Sequence, residues 1–552
     1  MKKSLGYLLF FLFVSSCYYK PFVQYRLNKK GFKHFNKKEK FSGDNANPYR
    51  NYDVKKYALD LEVFPDDKKI AGSMTIDFVT TESQKTFMFD FKKGMKVLSY
   101  STPFGKPSLK HKGDLLYLTY SEIIPKNKRI ALKINYKGKP KNVIGEGPIQ
   151  WKKDDKDRHW ISSSTEGIGP HFMMPCNGLL KDEPDSTEIN ITVPNDLVVA
   201  ANGKLMSVSE NQTNQTKTYK HLVTNPINIY NISFNIGHFI MLKKDYTDLN
   251  GFKRIIECQV LDYNEVDAER FYDQAPKIIG VFEELYGVYP WWNDGCRFIE
   301  STFAAMEHQS GIAMGSEYYL DWKDYNLTLV HELSHEWSGN NVTAYDYCDA
   351  WIHEGLATYS EALFIEKVYG HKAYEKKIQR FYYGTSNKIP IRKVCGVKYS
   401  SWISYNDMDI YDKGALLMHS LRIVVDNDDL FFKALKTFQK DLAQSNITSD
   451  HFMQKFNNLL GNDYSALFNL YLDDTEPPIL RVYTDIDEEG KKQYHYKWDK
   501  ALPFELKNGL KLEVNDEEVS IFPTTTFQSI EYKSLKLLLP KSIYFLPKGY
   551  KK

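Results

Sequence analysis

Apolar and polar residues alternate through Tyr57-Ala58-Leu59-Asp60-Leu61-Glu62-Val63 and again through Ser73-Met74-Thr75-Ile76-Asp77-Phe78. That period of two is the mark of a half-buried antiparallel sheet. Asp66-Asp67 between the runs suits a turn, Glu188 to Pro194 repeats the alternation, and Ala201-Asn202-Gly203 is a turn signal. Strand is therefore predicted from about Tyr52 to Phe239. After about 240 the period lengthens: Ala268–Tyr286, Tyr325–Trp337, Trp351–Tyr369 and Lys413–Val425 carry helical periodicity, and Leu430–Leu472 continues it. Pro477-Pro478 supports no continuing helix and marks a boundary. Strand patterning returns in Ile479-Leu480-Arg481-Val482-Tyr483 and Gly509–Val514, and no internal repeat is visible.

The chain has 552 residues, of which 42% are hydrophobic and 26% charged. At roughly 150 residues per domain this suggests three or four domains, with ample material for buried cores. Lys+Arg is 73 against Asp+Glu 70, a net charge of +3, too slight a basic excess to indicate a nucleic-acid partner. The one strongly apolar run, Leu5–Val14 after Lys2-Lys3, is ten residues long, whereas a span needs about 20. A polytopic membrane protein is thereby excluded, and residues 1–16 read as an export signal.

The run ends in Val14-Ser15-Ser16-Cys17, which resembles the lipobox of bacterial lipoproteins. That likeness implies a lipidated Cys17, a membrane anchor and a place on the bacterial cell envelope. The alternative is an ordinary signal peptide with a chance cysteine. Residues 17–47 are rich in Lys and read as a solvated, basic tether with at most a modest attraction to anionic headgroups. The remaining chain divides into expected units at 48–242, 243–476 and 477–552. The cysteines at 17, 176, 258, 296, 348 and 395 are too widely and irregularly spaced for a disulfide framework or a zinc knuckle. With Cys17 set aside an odd number remains, so at least one is unpaired or pairs outside the chain.

The chemistry concentrates in His331-Glu332-Leu333-Ser334-His335, on a helix predicted to begin near Asp324. Two histidines four apart project from one helical face about 6 Å apart, so both nitrogens can reach one zinc ion at roughly 2.0–2.1 Å. Glu332 is too close in sequence to His331 to chelate with it, but can reach a water on the metal. Glu354, on a second helix for which Asp349 is the expected N-cap, supplies a third ligand. Two His and one Glu leave a position open, the mark of a catalytic site. Glu361, two turns after Glu354, can accept the second N–H of a ligand imidazole.

This set resembles the zinc signature of the M1 family of zinc aminopeptidases, the gluzincins, including the Trp337 that follows it. Ala304-Ala305-Met306-Glu307-His308 resembles the family's Gly-Ala-Met-Glu-Asn strand, with Ala304 and His308 as departures. The resemblance makes Ala305 and Met306 part of the substrate strand and Glu307 the acid that grips a free α-amine. Glu166, in Thr165-Glu166-Gly167-Ile168-Gly169, stands about where the family places a second amine-binding residue. Tyr411-Asp412-Lys413-Gly414-Ala415 looks like the segment that supplies the transition-state tyrosine. Tyr405 is nearby, and the Lys413-Gly414-Ala415 context selects Tyr411 over it. Tyr286–Trp291 and Ile232–Gly237 are similar to the family's entry into the catalytic domain and the end of its first domain.

The resemblance implies a multidomain α+β fold: an N-terminal antiparallel β saddle domain, a thermolysin-like, mainly helical catalytic domain and a short C-terminal β module. It implies one Zn2+ per chain and a Glu332-activated water that hydrolyses the first bond of peptides with a free N-terminus. A zinc endopeptidase or other gluzincin hydrolase with an altered amine pocket, and a non-catalytic surface binding protein, are the alternatives. The oligomeric state is not readable from the residues.

Overall fold

A computed structural model describes residues 43–141, 147–397 and 409–550. The export signal, Cys17 and the tether as far as residue 42, together with Tyr405, lie outside the described residues.

The alternation from Tyr52 onward builds a seven-stranded sheet in the order 204–211, 216–223, 186–194, 52–64, 69–80, 129–138, 96–101. Strand Tyr52–Phe64 pairs antiparallel with Lys69–Thr80 but parallel with Ser186–Pro194, in the register Leu59↔Ile189. The expectation of a wholly antiparallel domain is corrected at this one ladder. More than 100 residues separate the two strands in sequence, enough for the crossover that parallel pairing requires. The inward positions of these strands, among them Tyr57, Leu59, Leu61, Ile189 and Ile191, bury against a three-stranded sheet (84–90, 115–124, 108–112) and a four-stranded sheet (198–201, 234–237, 159–163, 149–153).

A five-stranded sheet then begins with strand Phe239–Thr247 and ends on the two-residue edge strand Ala305–Met306. Phe239–Thr247 runs across the division expected at 242/243. Helices α1 (Glu265–Tyr272), α2 (Ala275–Tyr286), α3 (Leu327–Ser334), α4 (Trp351–Tyr369), α5 (His371–Gly384), α6 (Asp409–Val425), α7 (Asp428–Asp441), α8 (Ser449–Leu460) and α9 (Ser465–Asp473) pack with this sheet around one core. The single helix expected over 268–286 is two, broken where Pro276 enters the first turn of α2. One helix start and one cap also differ from expectation. Helix α3 starts at Leu327, later than the position near Asp324, and Asn326 caps it by accepting from the Leu329 N–H at 2.7 Å. Asp349 lies in a 3-10 turn ahead of α4 and accepts from the Ser449 hydroxyl instead of capping the helix.

Strands from Ile479 onward form a four-stranded and a three-stranded sheet. They are seated on these helices through buried Tyr544, whose N–H donates to Ser420 Oγ on α6 at 2.9 Å. Cys348 and Cys395 form a disulfide, a single pair rather than a framework, and Cys176, Cys258 and Cys296 are buried. Among the described residues no helix is long and apolar enough to cross a membrane.

Candidate active site

Helix α3 presents His331, its C-cap His335 follows one turn later on the same face, and α4 crosses beside it carrying Glu354. His331 Nε2, His335 Nε2 and Glu354 Oε2 form a triangle with edges of 3.1, 3.3 and 3.4 Å. Three ligands of a tetrahedral zinc at roughly 2.0–2.1 Å stand about 3.3 Å apart, so the triangle is one face of such a site. The far nitrogens are fixed as well. His331 Nδ1 donates to Glu361 Oε1 at 2.9 Å, and His335 Nδ1 donates to the Ser338 carbonyl at 2.9 Å. Each bond sets the tautomer that turns an Nε2 lone pair towards the metal position. Glu361 is itself held by Lys377 Nζ at 2.5 Å.

His353, adjacent to Glu354, is not a fourth ligand. Its Nε2 accepts from the Ala344 N–H at 2.8 Å, and burial pushes its pKa down to about 3, so the ring is a neutral structural acceptor. Gly339, at φ +127°, lies where a side chain would come within 3.0 Å of His335 Nδ1, which explains a glycine in the turn that follows α3.

Glu166, Glu307 and Glu354 each bring an oxygen within 4.8 Å of the others, and Glu307, Glu332 and a ring nitrogen of His335 lie equally close together. Four carboxylates thus converge, three of them buried and Glu166 half-buried. Burial first, and the neighbouring negative charges second, push Glu332 up to about 8 and Glu166 well above the usual carboxylate range. Burial opposes ionisation of Glu354 too, but the two facing imidazoles hold its carboxyl well below that range. A divalent cation at the triangle would balance part of the charge of such a cluster.

Tyr411 enters from α6, its ring lying 6.0 Å from that of His331 at 27°. It gets there because α4 and α6 cross at two glycines. A Cβ on Gly355 would come within 2.9 Å of Gly414 Cα, and one on Gly414 within 2.7 Å of Gly355 Cα. Ala305 and Met306 form the half-buried edge strand that leads directly into Glu307, paired with Met314 and Ala313.

Two regions match known domains: residues 272–471 the peptidase family M1 domain, and residues 52–230 the peptidase M1 N-terminal domain. The chain belongs to peptidase family M1. Its fold resembles the M1 zinc metallopeptidase of Deinococcus radiodurans at 20% identity and a TM-score of 0.64, over 77% of this chain and 94% of that one. Leucine aminopeptidase 2 of Vanderwaltozyma polyspora is 24% identical over 58% of this chain and 48% of its own length. Aminopeptidase B of Rattus norvegicus is 21% identical over 65% and 54% respectively. The chain spans about half the length of these curated relatives.

Within this M1 chain the two departures in the substrate strand have clear placements. Ala304 is exposed, so its extra methyl meets open space, and its carbonyl accepts from Gly315 N–H at 2.7 Å. His308 is wholly buried, edge-on to Phe303 at 6.3 Å, with neither ring nitrogen hydrogen-bonded and a pKa pushed by burial down to about 3. It is a neutral core residue and offers no polar contact to a peptide. The site also contains residues that sequence patterning did not single out: Tyr230, Asn340 and the Gly355–Gly414 crossing.

Proposed function

We propose that this protein is a zinc aminopeptidase that removes the first residue of peptides with a free N-terminus. The observation that carries the reading is the adjacency of two built sites. Carboxylates suited to an ammonium, Glu166 and Glu307, stand within 4.8 Å of the metal-facing Glu354. The α-nitrogen of a peptide is separated from its first carbonyl carbon by two covalent bonds, so an amine held there delivers that carbonyl, and no later one, to the metal triangle.

Zinc held by His331, His335 and Glu354 supplies Lewis acidity, polarising a carbonyl and acidifying water. Glu332 accepts the proton of the attacking water and returns it to the leaving amine. Tyr411 donates a hydrogen bond to the developing oxyanion, a contact worth about 3–4 kcal/mol at comparable sites. Glu307, with Glu166, binds the substrate ammonium, and Ala305 and Met306 flank the extended substrate.

The test is a panel of aminoacyl-coumarin substrates beside their N-acetylated counterparts, with and without chelator. Cleavage confined to free amines, abolished by chelator and restored by zinc, is expected. Equal cleavage of acetylated substrates would favour an endopeptidase, and unchanged turnover in Glu332→Gln would refute the assigned base. We further propose a lipid anchor at Cys17 and an envelope location, supported by Leu5–Val14 and Ser15-Ser16-Cys17 and by the Cys348–Cys395 disulfide, which suits an oxidising compartment. Metabolic labelling with a fatty acid, lost in Cys17→Ala, checks it.

A further inference from the structure

We infer that the N-terminal domain enforces the exopeptidase cut: Tyr230 and Asn231 are positioning residues that hold Glu307 in the attitude needed to read a free α-amine. The inference rests on the aminopeptidase reading and adds a cross-domain device to it.

Tyr230 and Asn231 belong to a buried 3-10 turn, Ile229–Asn231, opened by the Asn228 side chain. The Tyr230 hydroxyl donates to Glu307 Oε1 at 2.8 Å. Asn231 Nδ2 donates to Asn340 Oδ1 at 2.6 Å, and Asn340 Nδ2 donates to the Glu307 carbonyl at 2.9 Å. Consecutive residues of one turn therefore fix both the carboxylate and the main chain of Glu307. Asn340 also ties this pair to the metal helix, because its N–H donates to the His335 carbonyl at 3.0 Å. On the other side, Thr165 Oγ1 donates to the Tyr230 carbonyl at 3.0 Å, locking the turn to the loop that bears Glu166.

The residues after Glu307 are gripped by the same domain. Asn202 Nδ2 donates to the Gln309 carbonyl at 2.8 Å, Gln309 Nε2 donates to the Pro226 carbonyl at 2.8 Å, and Gly203 N–H donates to Ser310 Oγ at 3.0 Å. The amine-reading segment belongs to the catalytic sheet by chain order but is aimed by the preceding domain.

The choice of a phenol fits the task. Tyr230 is only 1% exposed and Glu307 3%, so a carboxylate there needs a partner for its bound oxygen. A lysine or arginine would satisfy it but cancel the charge the substrate ammonium requires. A neutral donor orients one oxygen and leaves the negative charge, with Oε2, for the substrate.

The experiment compares two competitive inhibitors on the full, zinc-loaded chain: leucine hydroxamate and its analogue lacking the α-amine, 4-methylpentanoyl hydroxamate. Both carry the same metal-binding group and side chain. Tyr230→Phe is expected to weaken leucine hydroxamate ~10- to 100-fold, the scale of one lost hydrogen bond to a charged group, and to leave the desamino analogue nearly unchanged. KM for leucine p-nitroanilide should rise more than kcat falls. Asn231→Ala, read in the same way, provides a second variant should Tyr230→Phe not accumulate as folded protein. Equal weakening of both inhibitors, or of neither, overturns the inference. A wild-type enzyme that does not prefer the amine-bearing inhibitor refutes the aminopeptidase reading itself, which separates the two failures.

Discussion

The helix crossing behind Tyr411 gives the sharpest structural prediction. Gly414→Ala places a Cβ 2.7 Å from Gly355 Cα, where carbon atoms in contact sit at about 3.5–4.0 Å. Neither partner is a flexible side chain that can swing away; both are backbone atoms of packed helices. The helices must part by about 1 Å, an overpacking that typically costs ~1–3 kcal/mol. Tyr411 lies three residues before Gly414, and Glu354 immediately before Gly355, so the displacement opens the gap between the oxyanion donor and a metal ligand. A misplacement of about 1 Å at a catalytic group can cost on the order of 10²-fold in rate. The expected result is a kcat lowered by roughly that factor, with KM and the affinity for leucine hydroxamate changed far less. Steady-state kinetics on leucine p-nitroanilide, with zinc content by elemental analysis and an unfolding midpoint by differential scanning fluorimetry, check it. A variant with wild-type kcat, full zinc loading and an unchanged midpoint would refute the argument that this contact sets the position of Tyr411.

Three further outcomes are expected. Glu361→Gln keeps an acceptor for His331 but removes the charge that Lys377 neutralises; zinc affinity, measured by chelator competition, should fall about 10- to 100-fold, and an unchanged affinity would show that this carboxylate does not tune the ligand. Tyr411→Phe should lower kcat by about 10²–10³-fold with little change in KM for leucine p-nitroanilide, and a loss confined to KM would reassign the residue to ground-state binding. Asp182 is buried and its pKa is pushed up to about 7, so between the ordinary carboxylate value of about 4 and that point the native state holds a proton the unfolded state has lost. Its contribution to stability is therefore greatest at low pH and falls as pH rises through this window; Asp182→Asn should flatten that fall in thermal unfolding, and parallel pH profiles would contradict it.

Much of the site was legible because local geometry carries it. Four residues make just over one helical turn, so His331 and His335 had to share a face, and the helical period placed Glu354 and Glu361 on one side of α4, whose expected span, Trp351–Tyr369, is the observed one. Alternation likewise identified the strands of the first domain. What stayed hidden depends on contacts between distant segments. The parallel ladder of Tyr52–Phe64 with Ser186–Pro194 shows the same alternation an antiparallel ladder would. Asp349 has the chemistry of a cap, but Ser449, remote in sequence, claims its carboxylate. Tyr230 is one of 39 tyrosines, and nothing local distinguishes it until the fold brings its hydroxyl to Glu307. Nothing local to Gly355 or Gly414 shows that the two meet until their helices cross. His308 stands in line for a substrate contact, yet its burial takes it into the core.

The central claim is that one metal ion, held by two imidazoles and a carboxylate, stands beside a carboxylate pair that binds an amine. A crystal structure with leucine hydroxamate, recorded at the zinc absorption edge, tests both halves at once. The account predicts a single strong anomalous peak bounded by His331 Nε2, His335 Nε2 and Glu354 Oε2, with the ligand's ammonium between Glu307 and Glu166. An absent peak, or an amine bound away from those two carboxylates, would contradict it.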